Sequence, residues 1–294
     1  MESLTSALRD RVILLDGGLA TRLEARGHDL SDHLWSARLL LDDPDEVRAA
    51  HSDFFAAGAE VAITASYQVS ASGFEAAGRT AADAREALRR SVRLAREAAD
   101  AFDGRRWVAA SVGPYGAALA DGSEYRGDYG LSVDDLRAWH RPRLQQLAEA
   151  GADLLACETI PSVAEAEALT LELADLGVPA WLSLTTVGDR TRTGEPAEDA
   201  YAIAAEVPNV IALGANCCDP REAAQVVAAV AGRRPVVFYP NSGESWDAGA
   251  REWTGDAAVA DSARTWVEAG VSALGGCCRV TPEQISVMRE QLVR

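Results

Sequence analysis

Eight short apolar runs, separated by longer amphipathic stretches, restrict this chain to a small set of folds. The runs are VILLDGG from Val12, VAITAS from Val61, WVAASVG from Trp107 and DLLACE from Asp153. They continue with AWLSLTT from Ala180, VIALGANC from Val210, PVVFYPN from Pro235 and SALGGCC from Ser272. Each is continuous rather than alternating, the pattern of parallel strands buried on both faces. Between them lies helical periodicity: from Ala81 to Phe102, Leu, Val and Ala recur at three- and four-residue spacing with Arg and Glu between. AAGAE, EAGAD and EAGVS precede the second, fourth and eighth runs, and a glycine there suits a helix C-cap leading into a strand. Pro44, Ser162 and Pro282 mark helix starts. Eight strand–helix units in 294 residues predict a single (β/α)8 TIM-type barrel over 1–294. A doubly wound open sheet is the alternative, because periodicity does not count closure. The longest loop follows the third run, from Gly113 to about Ser132, and long loops there commonly carry function.

Charge narrows the partners. A net charge of -17 argues against nucleic acid, which attracts a surplus of Lys and Arg, and is compatible with a cationic substrate. No apolar stretch approaches the ~18 residues of a membrane helix. The start, MESLTSALRDR, lacks a secretory pattern. The expectation is a cytoplasmic protein without a membrane partner.

Barrels of this type place their chemistry at the C-terminal ends of the strands. In this chain those ends hold Asp16-Gly17-Gly18, Thr64 to Gln68, Ser111 to Tyr115, Glu158-Thr159, Asn216-Cys217, Asn241 and Gly275 to Cys278. Cys217 ends the sixth run, and Cys277 and Cys278 end the eighth, so both groups face one mouth. Three thiolates fit Zn²⁺ with a fourth position left for substrate; the alternative is three small buried hydrophobes. Adjacent strand residues point to opposite faces, so Cys277 and Cys278 reach one ion only if the chain turns, which Gly275-Gly276 permits. In a reducing compartment metal ligation or burial is expected of these cysteines rather than a disulfide. Three thiolates make a poor Lewis acid for water, but zinc holds a bound substrate thiol deprotonated, ready to attack an activated methyl group. His28, His33, His51 and His140 lie away from the strand ends, where solvated or capping roles are expected.

At these motifs the chain resembles the homocysteine S-methyltransferases, especially those using S-methylmethionine. The matching stretches include LLDGGLATRLE, DHLWSARLL, ITASYQVSASGF, ASVGPYGAALADGSEYRG, CETIPSVAEAEAL, GANCCDP, YPNSGESWD and GGCCRVTPEQI. The resemblance implies Zn²⁺ held by Cys217, Cys277 and Cys278, and a homocysteine ammonium held by Asp16 and Glu158. It places Gly17 and Gly18 at the substrate carboxylate, and Ser66, Tyr67, Gln68, Tyr115 and Asn241 around the substrates. For Trp35 and Trp246 ordinary packing is the first reading, with an aromatic face turned to the donor cation as the alternative. Cys218 and Cys157 are expected to point away from the site. The implied reaction is methyl transfer from S-methylmethionine, with S-adenosylmethionine as a second donor, to homocysteine, giving methionine. The alternatives are betaine or another donor, a structural-zinc thiol-binding protein, and a zinc hydrolase, which the thiolates disfavour. Lacking the C-terminal arm of betaine-dependent relatives, the chain is expected to be a monomer or weak homodimer.

Overall fold

A computed structural model describes residues 2–30, 34, 36–247, 252–254 and 258–293, with backbone alone for 245–247, 252–254 and 258. Its strands are β1 (Ile13–Leu14), β2 (Val61–Ile63), β3 (Trp107–Val112), β4 (Leu154–Ile160), β5 (Ala180–Leu184), β6 (Thr186–Val187), β7 (Arg190–Thr191), β8 (Val210–Asn216), β9 (Val236–Tyr239), β10 (Ser245–Asp247), β11 (Glu252–Thr254) and β12 (Val271–Leu274). Eight of them pair in parallel in the order β1-β12-β9-β8-β5-β4-β3-β2. The ends of that order also meet. Leu15 bridges Val61 in parallel, the Asp16 N–H donates to the Val61 carbonyl at 3.1 Å, and the Glu60 N–H to the Leu14 carbonyl at 2.7 Å. The sheet is therefore a ring with helices between its strands, and the open-sheet alternative falls. The other four strands form two antiparallel hairpins, β6–β7 and β10–β11, which the apolar runs do not announce.

Strand parity sorts the core into two shells. Ile13, Leu15, Val61, Trp107, Ala109, Leu154, Ala156, Trp181, Ala212, Val237, Tyr239 and Ala273 pack together inside the ring. Their sequence neighbours, such as Leu14, Ala62, Val108, Leu155, Leu182, Leu213, Phe238 and Leu274, join the larger cluster under the helices. Period-two alternation produces this division even though both faces are apolar. The helix Leu4–Asp10 adds Leu4, Ala7 and Leu8 to the inner cluster and so plugs the end where the strands begin. At the other end, the inward rows turn polar with Ser111, Glu158, Ser183 and Asn216.

The helix boundaries follow local chemistry. Thr80 and Asp83 form a capping box on the helix Ala81–Asp100, and Ser132 and Asp135 form one on Val133–Glu149. Pro44 opens Pro44–Ala57, Ser162 caps Val163–Leu176, and Pro282 opens Pro282–Val293. Gly58 and Gly270 are left-handed C-caps, whereas Gly151 follows a C-cap supplied by Ala150. Among the described residues, no helix is long and apolar enough to cross a membrane.

Candidate active site and metal centre

Two irregular turns bring the cysteines together. β8 stops at Asn216, and Cys217 then takes a left-handed backbone conformation (φ 48°) that swings its side chain out of the strand's alternation. β12 stops at Leu274, so Cys277 and Cys278 lie beyond the pleat, after Gly275-Gly276. Those glycines have no room for side chains. A methyl at Gly275 would sit 2.6 Å from the Asp16 carbonyl, and one at Gly276 would overlap Val280. The Cys277 N–H donates to the Pro240 carbonyl at 2.7 Å, and the Cys278 N–H to Asn241 Oδ1 at 3.2 Å. All three sulfurs lie within 4.8 Å of one another and line one cleft.

In this structure Cys217 and Cys277 are joined as a disulfide across a Cα–Cα distance of 5.5 Å, contrary to the sequence-based expectation. The reason is geometric: a Cα–Cα separation of 5.5 Å is one a disulfide spans, so the two turns can aim their sulfurs at one ion or, when oxidised, at each other. The reduced triad offers three soft donors from two segments, a set suited to a thiophilic divalent ion. Burial, together with the nearby charges of Glu124 and Glu158, pushes the Cys278 thiol up to about 11. A thiolate there at neutral pH requires a cation beside it. Cys218 and Cys157 are buried in the outer cluster, and burial raises the Cys157 thiol to about 12.

Asp16 and Glu158 form the acidic part of the site. Both are buried, Asp16 just after β1 and Glu158 on the inward row of β4. Asp16 Oδ2 accepts from the Ile63 N–H at 2.8 Å, while Oδ1 is buried without a hydrogen-bond partner. Burial raises the Asp16 carboxyl well above its ordinary range, and the charge of Glu158 adds to the rise. Burial raises Glu158 to about 7, against hydrogen bonds from Ser111 and Tyr239 and the charge of Arg143. A cation with N–H groups is the kind of ligand that would satisfy two carboxylates held this way.

The remaining predicted positions divide into two groups. Gly17, Gly18, Tyr67 and Gln68 line the cleft with Glu158. The Gly18 N–H is engaged by the Val280 carbonyl at 2.9 Å, and methyls at Gly17 or Gly18 would sit 2.6 Å from the carbonyls of Val280 or Cys277. The two Gly-Gly pairs thus let the turns after β1 and β12 touch through their backbones. Asp16, Ser66, Tyr115 and Asn241 are not in the lining; Asp16 lies behind it, bonded to the lining residue Ile63. Ser66 donates to the Ser111 carbonyl at 2.7 Å, Tyr115 packs against Tyr129 and Trp139, and Asn241 braces Cys278. Trp35, His33 and the Trp246 side chain lie outside the described residues.

The sequence places some of the other lining residues at strand ends without a role and does not single out the rest. Thr159 (φ 60°) and Asn216 exchange two hydrogen bonds of 2.7 Å, and the Asn216 amide reaches the Cys277 sulfur at 4.0 Å. Tyr239 is the last residue of an inward row, so the period-two reading of β9 could have identified it. Glu124 and Tyr125 come from a 3-10 turn in the long loop after β3 and carry no periodic signal. The solvated or capping role expected for the histidines fails at His51 and His140, both fully buried. His140 lies 2.8 Å from Glu165 Oε1, which also accepts the Tyr115 N–H at 2.6 Å, anchoring the start of that loop.

A family model described as homocysteine S-methyltransferase matches residues 13–292. The homocysteine S-methyltransferase of Escherichia coli K12 is 46% identical over 96% of this chain and 96% of its own length. Among solved structures, the metallated form of the homocysteine methyltransferase MmuM from E. coli superposes with a TM-score of 0.87 at 43% identity. It covers 97% of this chain and 98% of that one. The oxidized form of the same enzyme gives the same TM-score, identity and coverage.

Proposed function

From the premise that this chain belongs to the homocysteine S-methyltransferase family, we propose that it transfers a methyl group from S-methylmethionine to homocysteine at a zinc site made by Cys217, Cys277 and Cys278. The chain is a methyltransferase acting on small molecules, and its family acts on homocysteine; the donor and the metal are the parts proposed. The observation that carries the reading is one cleft lined by three clustered sulfurs and the buried Glu158, with the buried Asp16 behind its wall and close enough to feel the Glu158 charge.

Zinc, when bound, would keep the homocysteine thiol ionised at neutral pH. The rest falls to the chain. Asp16 Oδ1 and Glu158 accept hydrogen bonds from the homocysteine ammonium and fix the sulfur's approach. Tyr239 and Ser111 hold Glu158 in position, and Asn216 holds the Thr159 turn against the Cys277 sulfur. Gly17 and Gly18 let the turns after β1 and β12 meet at the cleft, while Tyr67 and Gln68 bound it. Ser66, Tyr115 and Asn241 act by bracing these groups. The homocysteine sulfur forms a bond to the methyl carbon in line as the donor's sulfur–methyl bond breaks. The donor sulfur keeps that electron pair and becomes neutral, so S-methylmethionine and homocysteine give two molecules of methionine.

Zinc-loaded, reduced protein supplied with homocysteine tests the reading. Methionine formation is measured with S-methylmethionine, S-adenosylmethionine and betaine, and zinc content is read on the same sample. S-methylmethionine is expected to be the best donor, with S-adenosylmethionine second. Faster turnover with betaine would overturn the donor, and no product from any of the three would favour the structural-zinc alternative.

A further inference from the structure

Asp16 is buried behind the cleft wall; in the lining itself, one buried carboxylate has an oxygen without a hydrogen-bond partner. Glu124 is only 4% exposed and lines the cleft, and its Oε2 has no hydrogen-bond partner among the described residues. It does not belong to the barrel mouth but to the 3-10 turn Ser123–Tyr125. That turn is built to hold it. Asp121 accepts from both the backbone N–H and the hydroxyl of Ser123, and Arg126 donates to the Ser123 hydroxyl at 2.7 Å. Gly116 lies beneath: a methyl there would overlap the Glu124 backbone nitrogen and sit 2.6 Å from the Tyr129 hydroxyl. Next in the chain, the Tyr125 side chain hydrogen-bonds with Cys278, and the Arg192 guanidinium stacks on its ring at 5.5 Å. Burial, with the charge of Asp121, holds the Glu124 carboxyl above its ordinary range even though the Arg126 charge opposes the rise.

We propose that Glu124 receives the α-ammonium group of the methyl donor and so selects amino-acid sulfonium donors over donors without N–H groups. The inference rests on the reading of the site given above. The reaction joins two amino acids, each carrying one ammonium group, and the site has two buried carboxylate oxygens without partners, one on Asp16 behind the cleft wall and one on Glu124 in its lining. Asp16 Oδ1, beside Glu158, serves the acceptor; Glu124 Oε2, beside Tyr125 and Cys278, serves the donor. An orphaned carboxylate oxygen needs a hydrogen-bond donor and not merely a positive charge. A quaternary ammonium such as betaine has no N–H to give, and its own carboxylate would face that of Glu124. S-methylmethionine brings three N–H bonds on a cation.

The test compares wild type with Glu124→Gln, both zinc-loaded and reduced, using two sulfonium donors. One is S-methylmethionine; the other is dimethylsulfoniopropionate, which has the sulfonium and carboxylate but no amino group. In the variant, kcat/KM for S-methylmethionine should fall about 10- to 100-fold, the range for one charge-assisted hydrogen bond, mainly through KM. The kcat/KM for dimethylsulfoniopropionate should change little, narrowing the gap between the donors. Homocysteine affinity, measured by calorimetry without donor, and zinc content should match wild type, which also reports an intact fold. An equal loss for both donors, an unchanged KM for S-methylmethionine, or a matching loss of homocysteine affinity would each overturn the assignment. If wild type made no methionine from either donor, the functional reading itself would fail instead.

Discussion

At the scale of single residues, the site stores unmet electrostatic demand. Glu158 is raised to about 7 from an ordinary 4.5 because burial outweighs its hydrogen bonds. The sign has two consequences. In the ligand-free protein, Glu158 favours the fold most below about 4.5, and that contribution is lost as pH rises through about 7. Ligand binding runs the other way, since an ammonium needs the ionised carboxylate. Affinity for methionine, which carries the same ammonium without a thiol, is therefore expected to fall up to tenfold per pH unit as pH drops below about 7. Calorimetric titration over that range checks this, and Glu158→Gln should make the profile shallower, leaving the part that Asp16 contributes. A wild-type profile equally shallow would remove Glu158 from the ammonium site.

At the scale of elements, the turns after β1, β8 and β12 do what the strands do not. The sequence placed the polar ends of the strands correctly, because continuous apolar runs stop where the chain leaves the core. It also placed Cys157 outside and Glu158 inside by parity alone. The conformations of the turns were less legible. Gly275-Gly276 signalled a turn, but the left-handed Cys217 and Thr159 carry side chains that disfavour such φ values, and tertiary contacts hold them there. Gly276→Ala tests the turn, since a methyl there would overlap Val280. The expected result is loss of most bound zinc, read by metal analysis of the reduced protein, with helical and strand circular dichroism retained. Full zinc occupancy would mean that the turn tolerates the displacement.

Across the whole molecule, stability and chemistry occupy opposite ends of the barrel. Trp107 lies fully buried in the inner cluster near the helix Leu4–Asp10, with the Arg11 and Arg105 guanidinium groups 5.8 and 5.7 Å from its ring. Cys217, Cys277 and Cys278 lie in turns beyond the other ends of the strands. Chelation of zinc from reduced protein should abolish methyl transfer but leave the circular dichroism spectrum unchanged, with only a modest shift in Tm. Trp107→Ala should instead cost ~3–5 kcal/mol of stability in denaturant titration. Unfolding on chelation would move the metal from chemistry to structure.

Local chemistry alone determined the eight strands, the helix caps, the face each strand residue takes and the candidacy of Cys217, Cys277 and Cys278. These properties depend on neighbours a few residues away, which the order of amino acids states directly. Tertiary structure decided that β1 meets β2, that Cys217 bonds Cys277 across 60 residues, and that Glu124 enters the cleft. It also decided that His51 and His140 are buried rather than solvated. Such meetings depend on the path of the whole backbone, and no periodicity records which distant turns will share a space.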